Sequence, residues 1–266
     1  MPVAEDSAVP APAGQDGGRP ARTVADRLLG VLDAFDQTHR RLTLSELARR
    51  TGLPLATTHR MVARLTCWGA LERAEDGSYT IGLRLWEVAA LAPRGLGLRE
   101  AALPYLEDLY EATHENVHLA VADGVETVYI ERLSGREAVG VLSRVGARWP
   151  LSVTGVGLVL AAHAAPAVQS AVCAHPPRAF TPYTITDPAR IRAMLAEVRR
   201  TGLAVSDRQI TDDALSAAAP IRSADGTVVA AVGLVVRAGE GRVPELAPTL
   251  RVAARGISRA LGWPGN

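Results

Sequence analysis

The chain has 266 residues, 48% of them apolar, and a formal net charge of +1. That length holds two modest domains or one large one, and the composition supplies a sizeable core. The charge balance excludes arguing for nucleic acid or an acidic surface from overall charge; any such contact must come from a local patch. All 29 side chains of the Lys/Arg class are arginine, so phosphate contacts would use guanidinium groups, backbone N–H groups or hydroxyls. Cys67 and Cys173 lie far apart with no metal-like spacing, which fits a reducing cytoplasm. Residues 1–20 are rich in Pro, Ala, Gly and Asp and lack the apolar stretch of a signal peptide, so a disordered tail is expected. No apolar run approaches the ~18 residues of a membrane span. A soluble, intracellular protein with no membrane partner is expected.

A first module is expected over residues 21–82. Val24, Leu28, Val31, Leu32 and Phe35 recur at helical spacing. Thr43-Leu44-Ser45-Glu46 is a capping box that opens a short helix. Thr51-Gly52 ends it, since glycine takes the left-handed C′ conformation. Leu53-Pro54 then starts a second helix running to about Trp68, with proline suited to its first position. Thr58, Met61, Val62 and Leu65 share one face, while Ala56, Thr57, Arg60 and Arg64 lie on or near the other. Two short helices around a glycine turn are the helix-turn-helix pattern. Leu71-Glu72-Arg73 and Ser78 to Ile81 alternate around Asp76-Gly77, a hairpin signal that reads as a wing. Residues 19–73 hold ten arginines against five acids. A solvated helical face would explain that excess alone; the ordered set of cap, turn, helix and wing favours double-stranded DNA. The candidate contacts are Thr43, Ala56, Thr57, Thr58, Arg60, Arg64, Arg73 and Ser78. A winged helix that binds a protein partner is the alternative.

Residues 83–98 are too apolar for a free linker. A linker helix packed on a partner subunit and one packed on its own domain fit equally. From residue 99 onward a second domain is expected to run to 266. A helix over 98–113 precedes alternating strands around Asp123-Gly124, and a third strand is expected over 138–143. One helix follows Thr154-Gly155, and another runs from Asp187-Pro188 to Thr201-Gly202. Strands near 203–206, 214–219 and 228–236 and a helix over 244–261 complete an α+β domain with a largely antiparallel sheet.

Two motifs invite chemistry. His114-Glu115-Asn116-Val117-His118 has the spacing of a zinc hydrolase, which needs both imidazoles on one helical turn. Here the string straddles a helix end and a strand start, where residues four apart stand ~13 Å apart, and no third ligand follows. In Ser152-Val153-Thr154-Gly155-Val156-Gly157, Thr154 can cap a helix and the glycines would let a ligand approach free N–H groups. A tight turn packed on the sheet is the other reading of the same block. No catalytic nucleophile–base pair, cofactor motif or metal set emerges.

The chain resembles the IclR family of bacterial regulators. The stretches that carry the likeness are LTLSELARRTGLPLATTHRMVARL, GALERAEDGSYTIGLRLWEVA, LREAALPYLEDLYEATHENVHLAVADG, VLSRVGARWPLSVTGVG and FTPYTITDPARIRAMLAEVRRTGLAVSD, in the expected order. The resemblance implies a winged helix-turn-helix, a dimer-forming linker helix and a GAF-like effector-binding domain. It further implies a homodimer or a pair of dimers on operator DNA, repressing or activating metabolic operons in response to small organic or aromatic acids. It places Ser152, Thr154, Gly155, Val156, Asp207 and Ser216 at an effector pocket, with Val141, Trp149 and Ala138 as apolar wall. Leu158 stands where relatives usually carry Lys, Ser216 where Cys is frequent and Asp213 where Gly is frequent, so a small dicarboxylate fits less well.

Overall fold

A computed structural model describes residues 23–92, 95–135, 138–239 and 243–265; the tail over 1–20 lies outside them. The chain forms two compact units that meet between Ala90 and Leu91.

In the first unit, α1 (Val24–Leu32) precedes α2 (Leu44–Thr51) and α3 (Leu55–Trp68). Thr43 and Glu46 form the expected capping box, and Gly52 adopts φ +67° at the end of α2. Pro54 is the N-cap of α3 rather than its first residue; its carbonyl accepts from the N–H groups of Thr57 and Thr58. The wing strands β1 (Leu71–Arg73) and β2 (Tyr79–Ile81) pair antiparallel, with Gly77 at φ +82° in the turn. Val31, Leu42, Leu47, Val62 and Leu71 are the buried centre of this unit. α4 (Leu83–Ala89) follows; Leu85 packs on that centre, while Leu83, Trp86 and Val88 are exposed. The linker helix expected over 83–98 is therefore interrupted: α4 ends at Ala89, and a separate helix begins at Leu96.

The second unit opens with α5 (Leu96–Thr113) and continues through β3 (Asn116–Asp123), β4 (Glu126–Leu133) and β5 (Arg148–Pro150). Three helices follow, α6 (Gly155–His163), α7 (Pro166–Ala174) and α8 (Pro188–Thr201). The strands β6 (Ala204–Asp207), β7 (Ala214–Arg222) and β8 (Val228–Arg237) and the helix α9 (Val243–Ala260) complete it. The six strands form one antiparallel sheet in the order β5-β4-β3-β8-β7-β6. Period-two alternation divides each central strand between two layers. Leu119, Ala219 and Val232 pack under α5 and α9. Ala120, Ala218 and Ala231 pack under α6, α7 and α8. Alanine on that second face lets the uniformly apolar α6 sit close to the sheet. Among the described residues, no helix is long and apolar enough to cross a membrane.

Residues 138–143 do not form the expected strand. Side chains hold this segment in place of a neighbouring strand. Asn116 Nδ2 donates to the Val139 carbonyl at 2.8 Å, and Arg132 Nη1 donates to the Ser143 carbonyl at 3.0 Å. The third strand is β5, on the outer edge of β4.

Candidate functional site

In the first unit the site is a helix surface. Ala56 and Arg60 stand exposed on α3 with Arg64 one turn on, and Thr57 is half-buried. Among the described residues, no carboxylate lies within ion-pair distance of Arg60 or Arg64. Elsewhere in this unit Arg50 pairs with Asp36 at 2.5 Å and Arg41 with Asp76 at 3.2 Å. Asp36 sits well below the ordinary carboxylate range, held there against partial desolvation by hydrogen bonds from Thr38 and His39. The neighbouring exposed imidazole of His59 was not singled out from sequence; its place between Thr58 and Arg60 was the available signal.

Two expected contacts are corrected. Thr58 is fully buried, with its hydroxyl donating to the Pro54 carbonyl at 3.2 Å, so it faces the interior. Ser78 is buried as well; its hydroxyl donates to Asp76 Oδ1 at 2.5 Å and fixes the wing turn. Thr43 is exposed, but its hydroxyl is engaged with Glu46 in the cap. Arg73 is exposed on the wing, its guanidinium 6.0 Å from the Tyr79 ring centre.

In the second unit the site is a small cavity, partly open to solvent, on the α6 side of the sheet. Its floor is His118 from β3 and Tyr129 from β4; its walls come from Val141 to Ser143, Trp149, Thr154, Ser206 and Ser216. The imidazole and phenol meet edge to face with centres 5.0 Å apart. Burial, helped by the charge on Arg132, pushes the His118 pKa down to about 3. Burial likewise raises the Tyr129 phenol well above its ordinary range, despite its hydrogen bond with Thr154. Both groups are therefore neutral at pH 7 and available only for hydrogen bonding and ring contact. Trp149 stacks edge-on against Phe180 at 5.3 Å, which braces the apolar wall. Gln209, unrecognised from sequence, donates to the Ser206 hydroxyl at 3.2 Å.

Val141, Trp149, Thr154 and Ser216 thus come together at the cavity. Asp207, Ser152, Gly155, Val156 and Ala138 do not line it. Asp207 is exposed and pairs with Arg208 at 2.9 Å; alternation in β6 turns Ser206 inward instead. Ser152 is buried outside the wall, and Val156 belongs to the core. The glycines serve packing rather than ligand approach. A Cβ on Gly155 would stand 2.5 Å from Ser216 Oγ, and one on Gly157 would stand 2.4 Å from the Leu151 carbonyl oxygen. Thr154 caps α6 by accepting from the Gly157 N–H at 3.0 Å.

The zinc-hydrolase spacing resolves into separate elements. His114 is the left-handed C-cap of α5. His118 lies within β3, with its Nε2 bonded to the Ser143 hydroxyl at 2.9 Å. The two imidazoles do not share a helical turn.

Comparison with known proteins follows this division. Residues 24–75 match the family model described as the IclR helix-turn-helix domain. Residues 91–259 match that described as the bacterial transcriptional regulator IclR C-terminal domain. The HTH-type transcriptional regulator XynR of Escherichia coli K12 is 29% identical over 244 residues, covering 90% of this chain and 97% of the relative. The HTH-type transcriptional regulator KipR of Bacillus subtilis 168 is 30% identical, over 84% of this chain and 90% of its own. Among solved structures, an IclR homolog from Microbacterium hydrocarbonoxydans, complexed with 4-hydroxybenzoate, is 38% identical with a TM-score of 0.85. It covers 90% of this chain and 99% of its own.

Proposed function

This chain belongs to the IclR family of bacterial transcriptional regulators, with a helix-turn-helix DNA-binding domain and a C-terminal effector-binding domain, and from that premise we propose that it is a cytoplasmic repressor acting as a homodimer. Its operator affinity responds to a small organic or aromatic molecule in the second-unit cavity. The observation that carries the reading is the exposed face of α3, where Arg60 and Arg64 stand beside Ala56 and the half-buried Thr57 with, among the described residues, no carboxylate within ion-pair distance. Such a face suits base edges and phosphates in a major groove. Thr43 at the start of α2 and Arg73 on the wing are exposed as well. The apolar side chains of Leu83, Trp86 and Val88, exposed on α4, support a second copy of the chain as partner. The neutral, hydroxyl-rich wall with Trp149 and Tyr129 suits a planar ring, and the 4-hydroxybenzoate of the solved relative gives a first candidate. We read the protein as a binding protein rather than an enzyme, because its relatives are regulators. Effector and operator are coupled only to the extent that the ligand favours one dimer arrangement over another.

Footprinting on the chain's own upstream region, with and without 4-hydroxybenzoate, tests the reading. A protected site of two half-sites, weakened steeply by salt, is expected, with protection changed by the ligand. Equal, salt-insensitive affinity for unrelated duplexes would overturn it.

A further inference from the structure

Among the described residues that line the second-unit cavity, Gln209 is the only side-chain amide, and it is 2% exposed. The two ends of an amide have nearly the same outline, so its hydrogen bonds decide which end meets a ligand. Here they do so from both sides. The Ile185 N–H donates to Gln209 Oε1 at 3.0 Å. Nε2 donates to Ser206 Oγ at 3.2 Å. Exchanging oxygen and nitrogen would set Nε2 against the Ile185 N–H, two donors facing each other. The Ser206 hydroxyl hydrogen is directed to the Val153 carbonyl at 2.8 Å, so Ser206 accepts from Gln209 and does not donate to it. The bonds therefore run one way, from Gln209 through Ser206 to Val153. They use one of the two Nε2 hydrogens. The other has no acceptor among the described residues, although almost every buried donor in a folded protein is paired.

The backbone that delivers this amide is held from several directions. Arg208 adopts φ +51°, a left-handed conformation that His114 alone shares among the described non-glycine residues. Such conformations persist where the surroundings enforce them, and they gather at ligand-binding positions. Thr181 and Thr184 donate their hydroxyls to the carbonyls of Arg208 and Gln209 at 2.6 and 2.7 Å. The Arg208 guanidinium pairs with Asp207 at 2.9 Å and lies 4.0 Å from the centre of the Tyr183 ring. The segment around residues 181–185 thus pins Gln209 by its backbone and by its amide oxygen, and leaves the nitrogen end at the cavity.

We infer that Gln209 is a specificity-determining residue of this cavity: its remaining Nε2–H donates to an acceptor oxygen of the ligand. The site then favours a ring compound that presents a lone pair there over one that presents a hydrogen. The inference rests on reading the cavity as an effector site, and it concerns the hydrogen-bond polarity of the ligand, whatever its charge.

The test uses two uncharged probes of similar outline, titrated calorimetrically into the full-length protein. Acetophenone can only accept a hydrogen bond, whereas 1-phenylethanol can also donate one. Gln209→Glu keeps the side-chain length and an oxygen for the Ile185 N–H, but sets an acceptor where the free donor stood. Wild type is expected to bind both probes. Gln209→Glu should bind acetophenone about tenfold or more weakly. It should hold 1-phenylethanol within about threefold, because that hydroxyl can turn and donate to the new carboxylate. Unchanged acetophenone binding, or an equal loss for both probes, would overturn the inference and leave the cavity a ligand site. If Gln209→Glu fails to fold, the side-chain amide protons of Gln209 in wild type decide by NMR. One of them should move downfield on adding acetophenone; no movement in the presence of bound probe would overturn the inference. Failure of wild type to bind either probe would overturn both the inference and the reading on which it rests.

Discussion

Ser143 is tied to the cavity floor by a 2.9 Å hydrogen bond between its hydroxyl and Nε2 of His118. The imidazole is fully enclosed, and its pKa of about 3 lies below the ordinary value of 6.5. A group whose folded pKa is depressed binds fewer protons when folded than when unfolded. The stability it lends is therefore complete above about pH 6.5 and is lost as pH falls towards 3. Lowering the pH from 7 to 5 should cost the second unit about 2 kcal/mol through this group. Thermal unfolding at both values should show the loss in wild type and a clearly smaller one in His118→Gln. Identical pH profiles would mean that the imidazole is not held neutral.

Arg60 and Thr58 lie two residues apart on α3 and should give opposite phenotypes. Arg60→Ala removes an exposed guanidinium; operator affinity should fall by about 1–3 kcal/mol with the melting temperature unchanged. Thr58→Ala removes a buried hydroxyl bonded to the Pro54 carbonyl. It should cost about 1 kcal/mol of stability and, at temperatures where the protein is folded, leave DNA affinity intact. Gel-shift titration with parallel melting curves separates the two. A DNA defect in Thr58→Ala at full folding would contradict its inward placement.

Signals that act within one turn were legible in the sequence. Thr43 and Glu46 cap each other three residues apart, and Gly52 and Gly77 take positive φ where the chain must turn. The alternation of β3 was legible as well, since its side chains must face the two helical layers in turn. Features decided by partners distant in sequence were not. Residues 138–143 look like a strand, yet Asn116 and Arg132 satisfy their carbonyls, and nothing local reveals that. Which face of the short β6 points inward depends on its pairing with β7, so Asp207 was expected where Ser206 stands. Gly155 and Gly157 looked like openings for a ligand because Ser216 and Leu151, which press against them, are remote or belong to the preceding turn.

The β6 register yields its own prediction. Ser206 lines the cavity and is held by its bond to the Val153 carbonyl at 2.8 Å. Asp207 points outward to Arg208. With 4-hydroxybenzoate as probe, Ser206→Ala should alter the ligand-induced thermal shift. Asp207→Asn should leave it within error of wild type, since an exposed ion pair contributes little. A lost shift in Asp207→Asn with a retained one in Ser206→Ala would reverse the register inferred for this strand.

The glycines of α6 offer a test in which local propensity and packing predict opposite signs. Alanine is a better helix former than glycine by about 1 kcal/mol, so propensity alone predicts that Gly155→Ala and Gly157→Ala stabilise the protein. The space around them predicts the reverse. At Gly155 the offending neighbour is Ser216 Oγ, 2.5 Å from an added Cβ. Gly155→Ala should therefore destabilise by about 1–3 kcal/mol, and adding Ser216→Gly should recover a large part. At Gly157 the neighbour is the Leu151 backbone oxygen at 2.4 Å, which no side-chain substitution removes. Gly157→Ala should be at least as costly and unrelieved by Ser216→Gly. Melting temperatures of the three single variants and two doubles decide the matter. A Gly155→Ala protein as stable as wild type would show that α6 can withdraw from β7 at little cost, and that the close approach is not what selects glycine there.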